Sequence, residues 1–151
     1  MKHSAILAAA LLAVSAPSFA APSGVPEGRW RITGVDGKSA SGTLVFDRAS
    51  SRLHADAGCN MLSAGYRVRK GRLNISHAVT TLKACEPEVM TAEEKLSGAL
   101  SAVRRYRLRE TPAGAELVLS DKYGKVRILA VKEAKDAPPA AENRRIRLQT
   151  A

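Results

Sequence analysis

The chain has 151 residues, with 24 Lys and Arg against 14 Asp and Glu, and a formal net charge of +10. This length allows one domain with a single core, and no apolar run beyond the first twenty residues is long enough to cross a membrane. The positive balance favours anionic partners such as phosphates, lipid headgroups or acidic proteins, but it also keeps a small exported protein soluble, so charge alone selects no function.

The first twenty residues have the pattern of a secretory signal peptide. Lys2 gives a cationic start, residues 5–14 are apolar, and the small residues Ser18 and Ala20 fit the site that signal peptidase cuts. No cysteine lies near the cut, so lipid attachment there is not expected. We therefore expect cleavage near Ala20 and a periplasmic or secreted mature protein without a membrane anchor.

Short segments of alternating apolar and polar residues, joined by turn signals, predict antiparallel strands. Asp36-Gly37 and Lys70-Gly71 are typical of tight hairpin turns. The predicted strands of the first half of the chain are 29–35, 43–47, 52–57, 64–69 and 72–75.

The apolar period becomes helical after residue 88, with apolar residues at 89, 92, 96, 99, 100 and 103. Thr91 followed by Glu94 has the spacing of a capping box. We predict a single helix over residues 91–103, with Leu96, Leu100 and Val103 against the sheet.

Strand patterns return at 104–109, 116–120 and 125–131, and hydrophobic order then fades around Pro138-Pro139. The fold class predicted by these elements is α+β, mostly β. We expect a basic, disordered tail over residues 133–151.

Cys59 and Cys85 are the two cysteines, and export would deliver them to an oxidising compartment. A disulfide between them would stabilise the fold by about 3.5 kcal/mol in the chain-entropy model. The alternatives are a zinc site with His54 and His77, whose spacings match no compact ligand pair, and two free thiols. We favour the disulfide and expect no metal.

Several motifs between Trp30 and Val131 resemble the META domain, the family of the heat-shock-associated HslJ proteins. The clearest motif is Gly58-Cys59-Asn60, with Tyr66 six residues after the Asn, and Thr81-Leu82-Lys83-Ala84-Cys85 is close to the family's T-x-M-A-C element. An acidic residue early in the predicted helix, Glu93 or Glu94, is a third match. Trp30 with Asp36-Gly37-Lys38, and Phe46, also fit the family pattern. Lys83 stands where Met is usual, and Ala64 where Gly commonly precedes the Tyr.

The resemblance implies a small open, or cracked, antiparallel β-barrel or curled sheet packed on one α-helix, over residues 25–132. It is similar in shape to lipoproteins that pilot secretion pores. Family members are linked to envelope stress, motility-type secretion or antibiotic tolerance, without an established reaction. The motif residues Gly58, Asn60, Tyr66 and Thr81 are expected to be structural.

Two of these motif residues have alternatives. Asn60 is predicted to occupy a left-handed turn, which Gly and Asn both tolerate, and a ligand-gripping amide is the alternative. Thr81 is predicted to hold a loop backbone through its hydroxyl rather than to react.

No catalytic constellation can be assembled from the sequence. It contains no G-x-S-x-G elbow and no glycine-rich phosphate loop, and its carboxylates have no spacing typical of acid–base pairs. We therefore expect no enzymatic activity and no cofactor.

Arginines alternate with apolar residues on two predicted strands. Arg67 and Arg69 share one strand face, and Arg105, Arg107 and Arg109 share another. If these strands are neighbours, they form a basic stripe that could bind a polyanion, but we favour a solvated edge or face over an anion-binding stripe. Export and the scarcity of stacking aromatics argue against nucleic acid.

The sequence thus predicts an exported, monomeric, non-catalytic binding or assistance module of the bacterial envelope. Its partner would be an envelope protein or a glycolipid. The alternative is a module that binds lipopolysaccharide or acidic protein through the arginine-rich face.

Overall fold

The structure is a computed structural model, and it describes residues 24–133. The predicted signal peptide and all but the first residue of the predicted tail lie outside this range. Nine strands and one helix follow one another as β1 Gly28–Val35, β2 Lys38–Asp47, β3 Arg52–Asp56, β4 Met61–Arg69, β5 Arg72–Ile75, β6 Val79–Thr80, α1 Pro87–Ala102, β7 Arg105–Thr111, β8 Gly114–Ser120 and β9 Val126–Lys132.

The strands form one antiparallel, ring-like sheet. Its order is β3-β2-β1-β9-β8-β7-β5-β4, and β3 also pairs with β4, which brings the two ends together. The short strand β6 pairs with β4 beside β5. The prediction of a mostly-β fold with antiparallel strands and one helix is confirmed.

The ring has a weak seam between β5 and β7. These strands share a single register pair, Arg72 with Arg105, and one adjacent hydrogen bond from Leu73 N to Arg104 O, 3.0 Å long. Every other neighbouring pair around the ring shares at least four register positions. The sheet is therefore nearly, but not uniformly, closed.

Hairpin turns set the register of the sheet where the sequence predicted them. Asp36 and Gly37 have φ values of 49° and 78°, and Lys70 and Gly71 have 49° and 75°. Positive φ at both central residues is typical of the type I′ turn, whose twist matches that of the strands. Arg69 is consequently opposite Arg72 across the second hairpin.

The core fills the inside of the ring and the contact with the helix. Alternate residues of the strands point inward, as the period of two requires, and Leu96, Leu100 and Val103 bury the helix against them. The largest fully buried side chains are Phe46, Ile32, Leu44, Leu53, Leu73, Leu96, Leu117, Leu119, Ile128, Val103 and Pro26.

The helix begins earlier than the capping-box pattern indicated. It starts at Pro87, after Glu86 as N-cap, and no side chain caps its first amides. The predicted Thr91–Glu94 box is wrong, since Thr91 Oγ1 lies within the helix and donates to Pro87 O, 2.8 Å away. Proline at the first helical position has its φ already set for the helix and needs no partner for an N–H, so it starts α1 there.

Strand boundaries also differ, mostly by extension. The second strand begins at Lys38 rather than at residue 43, and the fourth at Met61 rather than at residue 64. The two-residue strand β6 was not predicted, because a segment this short carries no periodicity. Among the described residues, no helix is long and apolar enough to cross a membrane.

Candidate functional site

Cys59 and Cys85 form a disulfide, with their Cα atoms 6.4 Å apart. Cys59 lies in the loop between β3 and β4, and Cys85 lies just before α1. Because the bond uses both thiols, the alternative zinc site is excluded. His54 is half-buried on β3, and His77 is exposed between β5 and β6.

Asn60 connects two loops through its side chain. Its Oδ1 accepts hydrogen bonds from Thr81 Oγ1 at 2.9 Å and from Lys83 N at 2.8 Å. Its Nδ2 donates to Lys83 O at 3.1 Å. The buried amide therefore fixes the segment that precedes Cys85 against the start of β4.

Glu93 of α1 accepts hydrogen bonds from the backbone of Cys59 and Asn60 and from the Asn60 side chain. Its Oε1 accepts from Cys59 N at 3.0 Å and from Asn60 N, and its Oε2 accepts from Asn60 Nδ2 at 2.9 Å. The Glu93 residue is only 8% exposed. Three N–H donors thus compensate for the burial of one carboxylate, as a charged group away from water requires.

We call these six residues, Cys59, Asn60, Thr81, Lys83, Cys85 and Glu93, the disulfide junction. The left-handed turn predicted for Asn60 is wrong, because the residue that has a positive φ in this loop is Gly58, at 126°. The Asn60 side-chain amide does form hydrogen bonds, but its partners, which include Thr81 and Lys83, belong to the same chain and are not a ligand. Thr81 acts as predicted on a backbone, since its Oγ1 accepts from Met61 N at 3.1 Å.

A groove of about 440 Å³ adjoins the disulfide junction between β6 and α1. Leu82 and Met90 lie on its two sides, with the Leu82 residue 94% exposed and Met90 42%. Met61 and Val79, on β4 and β6, are 50% and 63% exposed but do not line this groove. We call Leu82 and Met90 the apolar rim.

The strand β6 next to the apolar rim presents a free edge. Leu62 and Ser63 of β4 pair with Thr80 and Val79 on one side. Within residues 24–133 no strand pairs with the other side. Backbone groups of such an edge are available to an added strand.

The arginine faces predicted from the sequence are not direct neighbours. β5 lies between β4 and β7, and it contributes Arg72, which faces Arg69 on one side and Arg105 on the other. We call five exposed arginines of these three strands the arginine corner: Arg67, Arg69, Arg72, Arg105 and Arg107.

Arg72 was missed by the sequence reasoning, which considered only strands with repeated arginines. The Lys70-Gly71 signal could have revealed it, because a two-residue hairpin places the flanking residues opposite each other. Arg109, the last of the predicted row, is instead paired with Glu116 across β8.

Tyr66 packs inside the ring on β4. Its ring meets that of Phe46 edge to face, with centroids 5.2 Å apart. Burial, together with the charges of Glu27 and Asp47, raises the pKa of the Tyr66 hydroxyl above its usual value. This motif residue is therefore a core aromatic.

Two solved structures share this fold at low sequence identity. An NMR structure of a protein from Burkholderia xenovorans is 16% identical, covers 80% of this chain and 99% of its own, and has a TM-score of 0.57. A crystal structure of a DUF4847 family protein from Bacteroides vulgatus is 10% identical, with 73% and 95% coverage and a TM-score of 0.51. Identities this low establish likeness of fold alone.

No curated protein that was compared with the chain matches it. The model of the META domain, in contrast, matches residues 23–135, a range that includes every described strand, the helix and the disulfide junction. The chain therefore belongs to the META domain family.

Proposed function

We propose that this META domain protein is an exported, non-catalytic binding module of the bacterial envelope, which presents the apolar rim to an envelope protein. The observation that carries the proposal is the exposure of Leu82 and Met90 on the two sides of one groove. Clustered exposed apolar side chains are costly in water and are typical of interaction sites.

The free edge of β6 suggests how the partner would bind. An extended segment of the partner would add to β6 by backbone hydrogen bonds, with its apolar side chains against the rim. The disulfide junction would keep the two walls of the groove in place, because Asn60 holds the β6 side and Glu93 belongs to α1. A wall fixed before binding lowers the entropic cost of association.

Export is a separate part of the proposal, and its support is the signal-like start of the sequence together with the disulfide, which favours an oxidising compartment. Intact-mass measurement and cell fractionation test it. We expect a mature chain that begins near residue 21, in the periplasmic or secreted fraction, without free thiols. A full-length chain in the cytoplasm would contradict export.

Site-specific photocrosslinking tests the binding surface. A photoreactive residue in place of Leu82 should give a discrete protein adduct in intact envelopes, and Met90→Asp in the same chain should abolish it. Tyr123 is the matched control, because it is 83% exposed but lies on the turn after β8. Equal adducts from both positions, or none from position 82, would contradict the proposal.

A second candidate function is polyanion binding by the arginine corner, with lipopolysaccharide or an acidic protein as ligand. The specific observation in its favour is that none of the five arginines forms an ion pair with an acidic residue of the described chain. Binding of this kind should weaken steeply with salt. An affinity that is independent of salt would exclude it.

A further inference from the structure

The arginine corner has an unusual arrangement of like charges. Arg69 is directly opposite Arg72 in the β4–β5 register, and Arg72 is directly opposite Arg105 at the β5–β7 seam. Residues directly opposite each other on antiparallel strands project to the same face, about 5 Å apart. Three guanidinium groups therefore leave the sheet in one row across three strands.

Most other arginines of the described chain have partners nearby. Arg127 and Arg109 pair with Asp36 and Glu116, and Arg104 donates to backbone carbonyls at the end of α1. Weaker contacts join Arg29 to Glu133 and Arg48 to Glu27. The row at the seam has no such compensation, and opposed like charges destabilise a sheet. Folding alone gives no reason for this placement.

We propose that the arginine corner is a phosphate-binding site that docks the protein onto an anionic lipid surface. This inference rests on the second candidate function and names its ligand. Guanidinium groups bind phosphate oxygens in pairs of parallel hydrogen bonds, as they also do with carboxylates. A membrane leaflet offers many phosphates in one plane, and the sheet face offers a matching row.

The composition of the face argues against single-stranded nucleic acid as the ligand. Such binding requires aromatic side chains on which bases stack. Tyr66 and Tyr106 alternate with the arginines of β4 and β7, so they point to the other face of the sheet and pack with the core. Asn74 of β5 and Lys70 at the hairpin turn are exposed beside the arginines and add polar and cationic contacts.

Vesicle binding by the mature chain tests the site. The probes are vesicles of phosphatidylcholine mixed with phosphatidylglycerol, and vesicles of phosphatidylcholine alone. We expect salt-sensitive binding to the first and none to the second. Each arginine near an anionic surface contributes about a fivefold gain in affinity, so Arg72→Gln should lower affinity about fivefold, and Arg69→Gln, Arg72→Gln and Arg105→Gln together about 100-fold.

A matched control removes three charges elsewhere. Arg31→Gln, Lys38→Gln and Lys95→Gln together change the net charge equally, on β1, β2 and α1. We expect this control to weaken vesicle binding by less than about fivefold. Equal loss in both triple variants would mean that net charge alone attracts the protein, and it would overturn the site.

The remaining outcomes separate this inference from the proposed functions. Absence of binding to the phosphatidylglycerol vesicles overturns the inference. Tighter binding of the protein to soluble polyglutamate than to the vesicles, through the same three arginines, would also overturn it in favour of an acidic protein. That result would leave the second candidate function standing. Photocrosslinking through Leu82 does not involve these arginines, so the rim proposal succeeds or fails independently.

Discussion

The disulfide junction and the arginine corner lie at opposite ends of the same strand, β4, and they differ in how their polar groups are compensated. At the junction, a buried carboxylate and a buried amide satisfy each other and three backbone N–H groups. At the corner, exposed arginines face one another without an acidic partner in the described chain.

This difference indicates which region serves the fold and which is free to serve a ligand. Groups in the junction are stabilised by their neighbours and are not available to bind anything else. The arginines of the corner are exposed and have no acidic partner within residues 24–133, so an external anion could bind them without breaking an ion pair. Four predictions test this contrast.

Removal of the disulfide should have the largest effect. We expect the double variant Cys59→Ser, Cys85→Ser to lose about 3.5 kcal/mol of unfolding free energy, because the unfolded chain regains the entropy of an open 26-residue separation. Denaturant titration measures the loss. The wild-type protein in reductant should behave like the variant, and a loss below about 1 kcal/mol would show that the junction is held by other contacts.

Glu93→Ala should be nearly as destabilising, by about 3 kcal/mol, because it leaves three donors of the junction without their acceptor. Glu93→Gln, which keeps one acceptor oxygen, should be intermediate. Glu94→Ala is the control: this exposed neighbour should change the unfolding free energy by less than about 0.5 kcal/mol. Similar losses for the Glu93 and Glu94 variants would contradict the assigned network.

Tyr66 lies between the two regions on β4, and it should make the unfolding free energy fall at alkaline pH. Its pKa is raised in the folded protein, so as pH rises above the unfolded value of about 10 the unfolded chain loses its proton first and stability falls. Tyr66→Phe should lessen this fall in denaturant titrations at about pH 8 and pH 11. An unchanged slope would contradict the assignment, and Tyr123→Phe, on an exposed turn, serves as the control.

The smallest expected effect is a gain in stability rather than a loss. Arg72→Gln removes the central charge of the row and should raise the unfolding free energy by about 0.5 kcal/mol at low salt, with a gain that shrinks as salt increases. Arg109→Gln, which breaks the contact with Glu116, should not be stabilising. If Arg72→Gln destabilises the protein at low salt, the corner is part of the fold's own stabilisation.

The sequence was most informative where local chemistry decides the structure. The strand segments were predicted from their period of two, and the tight turns from Asp36-Gly37 and Lys70-Gly71, because side-chain alternation and positive φ are properties of a few adjacent residues. The start of α1 was misplaced because two competing local signals, Pro87 and the Thr91–Glu94 spacing, were both present, and the proline is the one that begins the helix.

The sites depended on contacts between distant residues. The sequence contained both an acid at 93 and an amide at 60, but their separation of 33 residues gives no sign that they share a buried network. Likewise, arginine alternation defined two faces, while only the strand order showed that β5 stands between them. Which strands become neighbours depends on closing the sheet over its core, and no local pattern encodes that closure.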